Sequence, residues 1–223
     1  YVAIGAHTDK KTGIPGEDSK NVMSAVEMLR AIGDDVMPDF TGKHVVVIGG
    51  GNVAMDAART ALRLGAEHVY IVYRRSEAEL AAGGEEVEQG KEEGIDFRLL
   101  TNPVAIEGDE NGWVRGMTCI EMELGEPDES GRRRPIEKKG SEFELEVDTM
   151  IMALGTSPNP LIRSTTPGLE TNRKGCLIVD EHEMTTREGV FAGGDAVTGA
   201  APVILAMGAG KTGAAAIDAY LSK

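Results

Sequence analysis

Gly49-Gly50-Gly51-Asn52-Val53-Ala54 follows directly on the apolar run Val45-Val46-Val47-Ile48. It opens a segment in which Val53, Ala57, Ala61 and Leu64 recur at near-helical spacing. A glycine turn between a strand and a helix is a means of holding phosphate, because the first amides of the helix and its dipole face an anion placed there. Gly49 permits the tight turn, Gly50 continues it, and Gly51 lets a pyrophosphate approach the backbone. Ala54 is small enough for the helix to pack closely on the strand. The Asn52 and Val53 amides then point at the anion, with about 0.3–2 kcal/mol from the dipole alone. The strand-turn-helix context predicts a dinucleotide site.

The following strand, Val69-Tyr70-Ile71-Val72, selects the dinucleotide. A site for NAD usually sets Asp or Glu at this strand's end to bind the ribose 2′-hydroxyl. Here Tyr73-Arg74-Arg75-Ser76 stands in its place. Two arginines suit a 2′-phosphate, since a charge-assisted hydrogen bond contributes roughly 1.5–3 kcal/mol, or about 10- to 150-fold in affinity. The expected ligand is NADPH. A third motif, Thr186-Arg187-Glu188-Gly189-Val190-Phe191-Ala192-Gly193-Gly194-Asp195, ends a short apolar strand in two glycines and a carboxylate. Asp195 is suited to accept hydrogen bonds from sugar-like hydroxyls, while the Val203 and Ile204 amides open a helix toward an electron-rich group. A buried structural Asp is an equal reading of the same residues.

The elements that must carry these motifs follow from patterning. A strand at Tyr1 to Ile4 gives way to a loop with Gly13, Pro15 and Gly16, and a helix is predicted over Ser19 to Leu29. Val45 to Val72 forms a βαβ unit whose first strand is apolar throughout, as in a parallel sheet buried on both faces. A helix near Glu85 to Glu93 and a strand at Asp96 to Leu100 come next. Val114 to Leu124 and Glu142 to Val147 alternate weakly, and the polar stretch Gly125 to Gly140 between them predicts an antiparallel excursion with an exposed tip. Arg132-Arg133-Arg134 in that tip reads as a solvated turn or a docking patch. A strand at Met150 to Leu154, short strands at Leu177 to Val179 and Val190 to Ala192, and a helix from Pro202 to Leu221 complete the chain.

The 223 residues suit one large domain or two small ones, with roughly 70% of the unfolded surface buried. Hydrophobic residues at 41% and charged residues at 27% exclude wholesale disorder. The net charge of −14 argues against a nucleic-acid partner, and any phosphate must be held by local amides and placed arginines. No apolar run is long enough to cross a membrane. The absence of a leader pattern and two isolated cysteines predict a cytoplasmic protein without a disulfide framework. The opening Tyr1-Val2-Ala3-Ile4-Gly5 reads as a chain that begins inside a fold. His7, His44, His68 and His182 show no metal-ligand spacing, so no metal is expected. Gly208-Ala209-Gly210-Lys211-Thr212 falls inside a helix and lacks the first glycine of a phosphate loop.

The Gly193-Gly194-Asp195 segment resembles the C-terminal FAD motif of flavoproteins with two dinucleotide-binding domains. In these the resemblance gives the Asp a contact with the flavin ribityl chain and sets the next helix, from Val203, against the isoalloxazine. Tyr1-Val2-Ala3-Ile4-Gly5-Ala6 and Met152-Ala153-Leu154-Gly155-Thr156 resemble the paired crossover segments into and out of an inserted NAD(P)H domain. The stretch Val45 to Ser76, with Met55-Asp56-Ala57-Ala58-Arg59 and Tyr73-Arg74-Arg75, is similar to the small (beta) subunit of NADPH-dependent glutamate synthase and its relatives. The resemblance covers essentially the whole chain. It implies an α/β fold: a Rossmann-like NADPH-binding domain at 41–148 with an antiparallel excursion, inserted in a partial FAD domain. The remnant and linker helix of that FAD domain are 1–40, and its C-terminal portion is 149–223.

This family implies hydride transfer from NADPH to FAD and electron transfer onward to an iron–sulfur domain or a large catalytic subunit. The flavin carries the chemistry, so no side-chain catalyst is assigned. Three departures stand out. The N-terminal FAD strand with its own glycine fingerprint and the preceding cysteine-rich domain are absent from this sequence. Leu80-Ala81-Ala82-Gly83 replaces the family's Met-Pro-Ala and basic residue. Cys119 and Cys176 form no CxxC, which excludes a dithiol relay. The alternative reading is an NADPH-binding fragment without a complete FAD site.

Overall fold

The computed structural model describes residues 1–128 and 131–222. The chain divides into two compact units, one formed by residues 11–155 and the other by residues 1–10 together with 156–223. In chain order the first elements are β1 (Thr8–Asp9), β2 (Val22–Ser24), α1 (Ala25–Gly33), β3 (His44–Ile48), α2 (Asn52–Arg63), β4 (His68–Tyr73), α3 (Gly84–Glu92) and β5 (Asp96–Leu99). Then come β6 (Thr101–Gly108), β7 (Val114–Pro127), β8 (Arg133–Glu137), β9 (Phe143–Glu146), β10 (Thr149–Met152) and β11 (Thr156–Ser157). Three helices close the chain: α4 (Pro160–Thr165), α5 (Asp195–Thr198) and α6 (Val203–Leu221).

The larger unit is built on a five-stranded parallel sheet of order β2-β10-β3-β4-β5. Period-two alternation sends Val45 and Val47 of β3 to one face and Val46 and Ile48 to the other, and all four are buried. The first face receives the helices. Ala54, Ala57, Ala58 and Ala61 are fully buried against Val45, Val47, Val69 and Ile71, and their small side chains let α2 lie close to the strands. Val53, expected on that inner stripe, is instead exposed, because the alanine face of the helix turns inward. Arg59 and Arg63 on α2 both hydrogen-bond the Glu93 carboxylate just after α3, which ties the two helices together.

The second face is covered by the antiparallel strands β6, β7 and β9. Met117 and Cys119 of β7 pack with Val46, Val72 and Met150 in one apolar cluster. The excursion is therefore the second covering layer of the sheet, and this is why β3 is apolar on both sides. Its far end is a strand, β8, paired antiparallel with β7, where the sequence predicts only a turn. Glu129 and Ser130, within that predicted tip, lie outside the described residues.

Three expectations are corrected. The helix predicted over Ser19 to Leu29 is strand β2 followed by α1, whose N-terminus Ser24 caps by accepting from the Glu27 amide. Residues 22–24 are extended because they pair with Met150–Met152, a long-range interaction that local spacing does not encode. The expected boundaries at 40/41 and 148/149 fall inside one compact unit, since β2 and β10 are strands of the same sheet as β3. Met150 to Leu154 thus belongs with the glycine fingerprint, and not with the C-terminal segment.

The smaller unit holds a short antiparallel pair, β1 with β11, in which Thr156 Oγ1 donates to the Ala6 carbonyl. The segments expected at Leu177 to Val179 and Val190 to Ala192 make only isolated bridges, Thr171 with Leu177, Val179 with Thr185, Met184 with Phe191 and Val2 with Ala192. Its core is Leu169, Leu177 and Ala192, flanked by Val2, Ile162, Val179, Val190 and Val197.

Candidate functional site

In the larger unit the glycine turn leaves β3 at the carboxyl edge of the sheet, at the point where the strand order reverses. The Gly49 amide donates to the Val72 carbonyl at 3.1 Å, which draws the turn toward the end of β4. Gly49 has φ +148°, and a Cβ there would strike the backbone carbonyl of Ala153, so only glycine is tolerated. A Cβ on Gly50 would meet Tyr73 and Leu80. Around Gly51, by contrast, a Cβ would meet nothing within 4 Å. Gly51 is the N-cap of α2, no side chain caps that helix, and its carbonyl accepts from the Ala54 and Met55 amides. The Asn52 and Val53 amides therefore face open space at a positive helix end. This is the cradle a pyrophosphate requires.

Arg74 and Arg75 follow β4 at the same edge. Arg74 is exposed, whereas the buried Nε of Arg75 has no hydrogen-bond partner. An orphaned buried donor costs about 1–3 kcal/mol unless a ligand satisfies it, and a phosphate oxygen has the matching chemistry. The structure also shows what the sequence reading missed. Glu86, in the first turn of α3, carries a buried carboxylate oxygen that is likewise unpartnered. The only sequence signal was an acidic pair opening the next helix, which reads equally well as a solvated first turn.

The Leu80 to Gly83 departure is resolved in this structure. The Ala81 and Ala82 amides donate to the Gly50 carbonyl at 2.8 and 3.1 Å, and the Tyr73 hydroxyl donates to the Glu79 carbonyl at 2.8 Å. Ser76 and Glu79 form a reciprocal capping box. The loop is thereby fastened to the fingerprint itself. A proline at 81 has no amide to make the first of these bonds.

The third motif lies in the smaller unit. Gly194 has φ +67° and directs the chain into α5, of which Asp195 is the first residue. A Cβ on Gly193 would collide with the Tyr1 hydroxyl, and one on Gly213 with the Tyr1 ring, so both glycines make room for that side chain. Helix α6 starts at Val203 after Pro202 with no side-chain cap, and Val203 is 75% exposed. Gly194, Asp195 and Val203 thus cluster in sequence and unit apart from Gly49 to Ala54, Arg74 and Arg75.

Cys119 and Cys176 are free and buried, and burial pushes the Cys119 thiol up to about 12, which denies it thiolate chemistry. Two of the histidines meet in the structure although their spacing along the chain shows no pattern. His44 and His68 face one another from register-paired positions of β3 and β4, with ring centroids 4.8 Å apart. With Glu67 they place three ligand atoms within 4.8 Å of one another. Zinc–ligand bonds near 2.1 Å need ligand atoms about 3.4 Å apart in a tetrahedron, so the group is looser than a formed site. A separation of 24 positions along the chain hides the pair; strand register creates it. Gly208 to Thr212 lies within α6 and forms no phosphate loop.

A family model described as pyridine nucleotide-disulphide oxidoreductase matches residues 2–213. The NADP(+)-dependent formate dehydrogenase subunit beta of Moorella thermoacetica is 42% identical over 99% of this chain and 31% of its own length. The glutamate synthase [NADPH] small chain of Halomonas elongata is 37% identical over 99% of this chain and 49% of its own. The chain thus spans between about a third and a half of these relatives. In fold it is similar to Mycobacterium tuberculosis FprA in complex with NADPH, with TM-score 0.79, 22% identity and coverage of 99% of this chain and 63% of that one. It is also similar in fold to T. acidophilum thioredoxin reductase, with TM-score 0.74, 23% identity and coverage of 99% of this chain and 65% of that one. No helix among the described residues is long and apolar enough to cross a membrane. With its parallel sheet, its open glycine turn and a family match across nearly all of its length, the chain belongs to the pyridine nucleotide-disulphide oxidoreductase family.

Proposed function

We propose that this chain is the NADPH-binding unit and part of the flavin-binding unit of an NADPH-dependent flavin oxidoreductase. The observation that carries the reading is the open Gly51 at an uncapped helix start, with Arg74 and the orphaned Nε of Arg75 at the end of the adjoining strand. When bound, the two cofactors supply the redox chemistry, a hydride passing from the nicotinamide of NADPH to FAD. The chain's own residues bind and orient. The Asn52 and Val53 amides hold the pyrophosphate, Arg74 and Arg75 neutralise the 2′-phosphate, and Ala54 keeps α2 close enough for its dipole to act.

Residues 11–155 form the NADPH unit in this reading. Residues 1–10 and 156–223 supply the flavin side, with Gly194 leaving space for the cofactor, Asp195 accepting from the ribityl hydroxyls, and the amide of Val203 opening α6 toward the ring system. Val203, Ile204, Leu205 and Met207 are 55–75% exposed, an apolar surface suited to a flavin ring. The assembled protein passes electrons to an iron–sulfur domain or a large catalytic subunit and works in the cytoplasm. The names of the relatives, as beta and small chains of NADP-linked enzymes, support a role as one subunit of a larger assembly.

The test is an anaerobic titration of the chain premixed with FAD, following flavin absorbance. Bleaching by NADPH well ahead of NADH is expected. Replacing Arg74 and Arg75 together by Ala should reduce the NADPH-over-NADH preference about 10- to 150-fold. An unchanged preference would overturn the assignment. Tight NADPH binding without bleaching would support the second reading, a nucleotide-binding unit without turnover.

A further inference from the structure

The antiparallel layer does more than cover the sheet. A cavity of about 490 Å³ opens where strand β8 meets the end of β4, and Arg74, Arg134 and Lys139 line it. Its volume is in the range of small-ligand sites. Acidic residues outnumber Lys and Arg by 37 to 23 in this protein, so carboxylates to pair its cations are plentiful. Arg59, Arg63, Lys91, Arg98, Arg115 and Lys138 all make ion pairs. Among the described residues, the three cations at the cavity make none. Converging unpaired cations repel one another and raise the local potential for an anion.

The remaining walls narrow the ligand class. Met122 and Ile136 offer apolar surface for a flat ring, and the carboxylate of Glu137 is an acceptor for a ring amino group or a sugar hydroxyl. Inorganic phosphate would use the cations and leave the apolar wall without a partner. A nucleotide with a phosphate on its sugar uses both. Arg74 belongs at once to the strand end beside the glycine turn and to this cavity, so one side chain joins the two regions.

We propose that the cavity receives the adenosine 2′-phosphate end of NADPH, and that Arg134 and Lys139 read the 2′-phosphate together with Arg74. The inference rests on the NADPH reading above. It assigns the Arg132-Arg133-Arg134 run a part in cofactor choice, through Arg134, in place of a role as a solvated turn. The antiparallel layer then sets specificity for a site whose pyrophosphate is held by the other layer's helix.

Calorimetric titration with adenosine 2′,5′-bisphosphate and with adenosine 5′-monophosphate tests it. In the double variant Arg134→Ala/Lys139→Ala, affinity for the bisphosphate should fall about tenfold or more, with the monophosphate within about twofold of wild type. Raising ionic strength should weaken bisphosphate binding more steeply in the wild type than in the variant. Arg134→Gln/Lys139→Gln, with circular dichroism as a control, guards against loss of β8; the same selective weakening is expected. If bisphosphate affinity is unchanged in both variants while Arg74→Ala/Arg75→Ala loses it, the cavity proposal is overturned and the NADPH reading stands. If none of these variants matters, both fail. Equal weakening of the two nucleotides would also overturn 2′-phosphate reading. Inorganic phosphate competing at the same concentration as the bisphosphate would reduce the site to a general anion pocket and refute the nucleotide assignment.

Discussion

Residues 11–155 close a parallel sheet between a helical layer and an antiparallel layer, whereas residues 1–10 and 156–223 make isolated bridges around a few apolar side chains. In the larger unit every sheet face has a partner. In the smaller unit the long helix α6 buries only Gly213 and exposes Val203, Ile204, Leu205 and Met207 at its start. The contrast teaches that a motif and its mechanical support are separate things. Both units carry glycines whose missing side chain makes room for a neighbour, but that neighbour is backbone at Gly49 and chiefly a side chain at Gly193.

Gly49→Ala and Gly193→Ala put that difference to its strongest test. At Gly49 the new Cβ meets the Ala153 carbonyl, a backbone atom held in the sheet by the Ala153 amide bond to Ile48. Overpacking there should cost about 1–3 kcal/mol, with the strain of a glycine-only φ in addition. At Gly193 the obstacle is the Tyr1 hydroxyl and the Ala209 Cβ, and Tyr1 is 51% exposed. Tyr1 can swing aside, while the Ala209 Cβ, fixed on α6, must give by a few tenths of an ångström, so a smaller loss, about 1 kcal/mol, is expected. Urea unfolding of the two variants measures both; equal losses would break the comparison.

Gly51→Ala separates support from binding within the larger unit. Its Cβ finds open space, so thermal stability should stay within about 0.5 kcal/mol of wild type. The methyl nonetheless occupies the cradle, and NADPH affinity should fall about tenfold or more by fluorescence titration. A matching loss of stability would show that the turn is only structural.

The smallest effect concerns pH, and its sign differs between the units. The Arg59 hydrogen bond holds the Glu93 carboxyl below the ordinary carboxylate range, despite some desolvation, with charge attraction from Arg59 and Arg63 adding to it. Its contribution to stability is present above the unfolded value of about 4.3 and is lost as pH falls through the folded value. Burial, and then the nearby Asp180 carboxylate, push the Glu183 carboxyl up. Its folded state is favoured below about pH 4.3 and increasingly opposed as pH rises through the folded value. Glu93→Gln should therefore lower the melting temperature more at pH 7 than at pH 4. Glu183→Gln should raise it more at pH 7 than at pH 4. Calorimetric melts at the two pH values decide the signs, and the same sign for both would contradict the contrast.

The glycine turn was legible in the sequence because all its chemistry is local: an apolar strand, three glycines, a small residue and an amphipathic helix succeed one another within about twenty positions. Arg74 and Arg75 were legible for the same reason, being the ends of a strand whose partner strand is read directly from the chain. Asp195 was legible as a motif, while its surroundings depend on Tyr1 filling the space that Gly193 and Gly213 leave. Helix α1 was misplaced because β2 is extended only through pairing with β10, more than a hundred residues away.

The sequence by itself determined the α/β class, the glycine turn between strand and helix and the arginine pair, since each is written in neighbouring residues with their own conformational preferences. Tertiary structure alone decided that the excursion covers the second face of the sheet, that Arg134 and Lys139 meet Arg74 around one cavity, and that His44 and His68 stand side by side. Those three facts depend on strand register and layer packing, which arise from interactions between distant segments and leave no periodic trace along the chain.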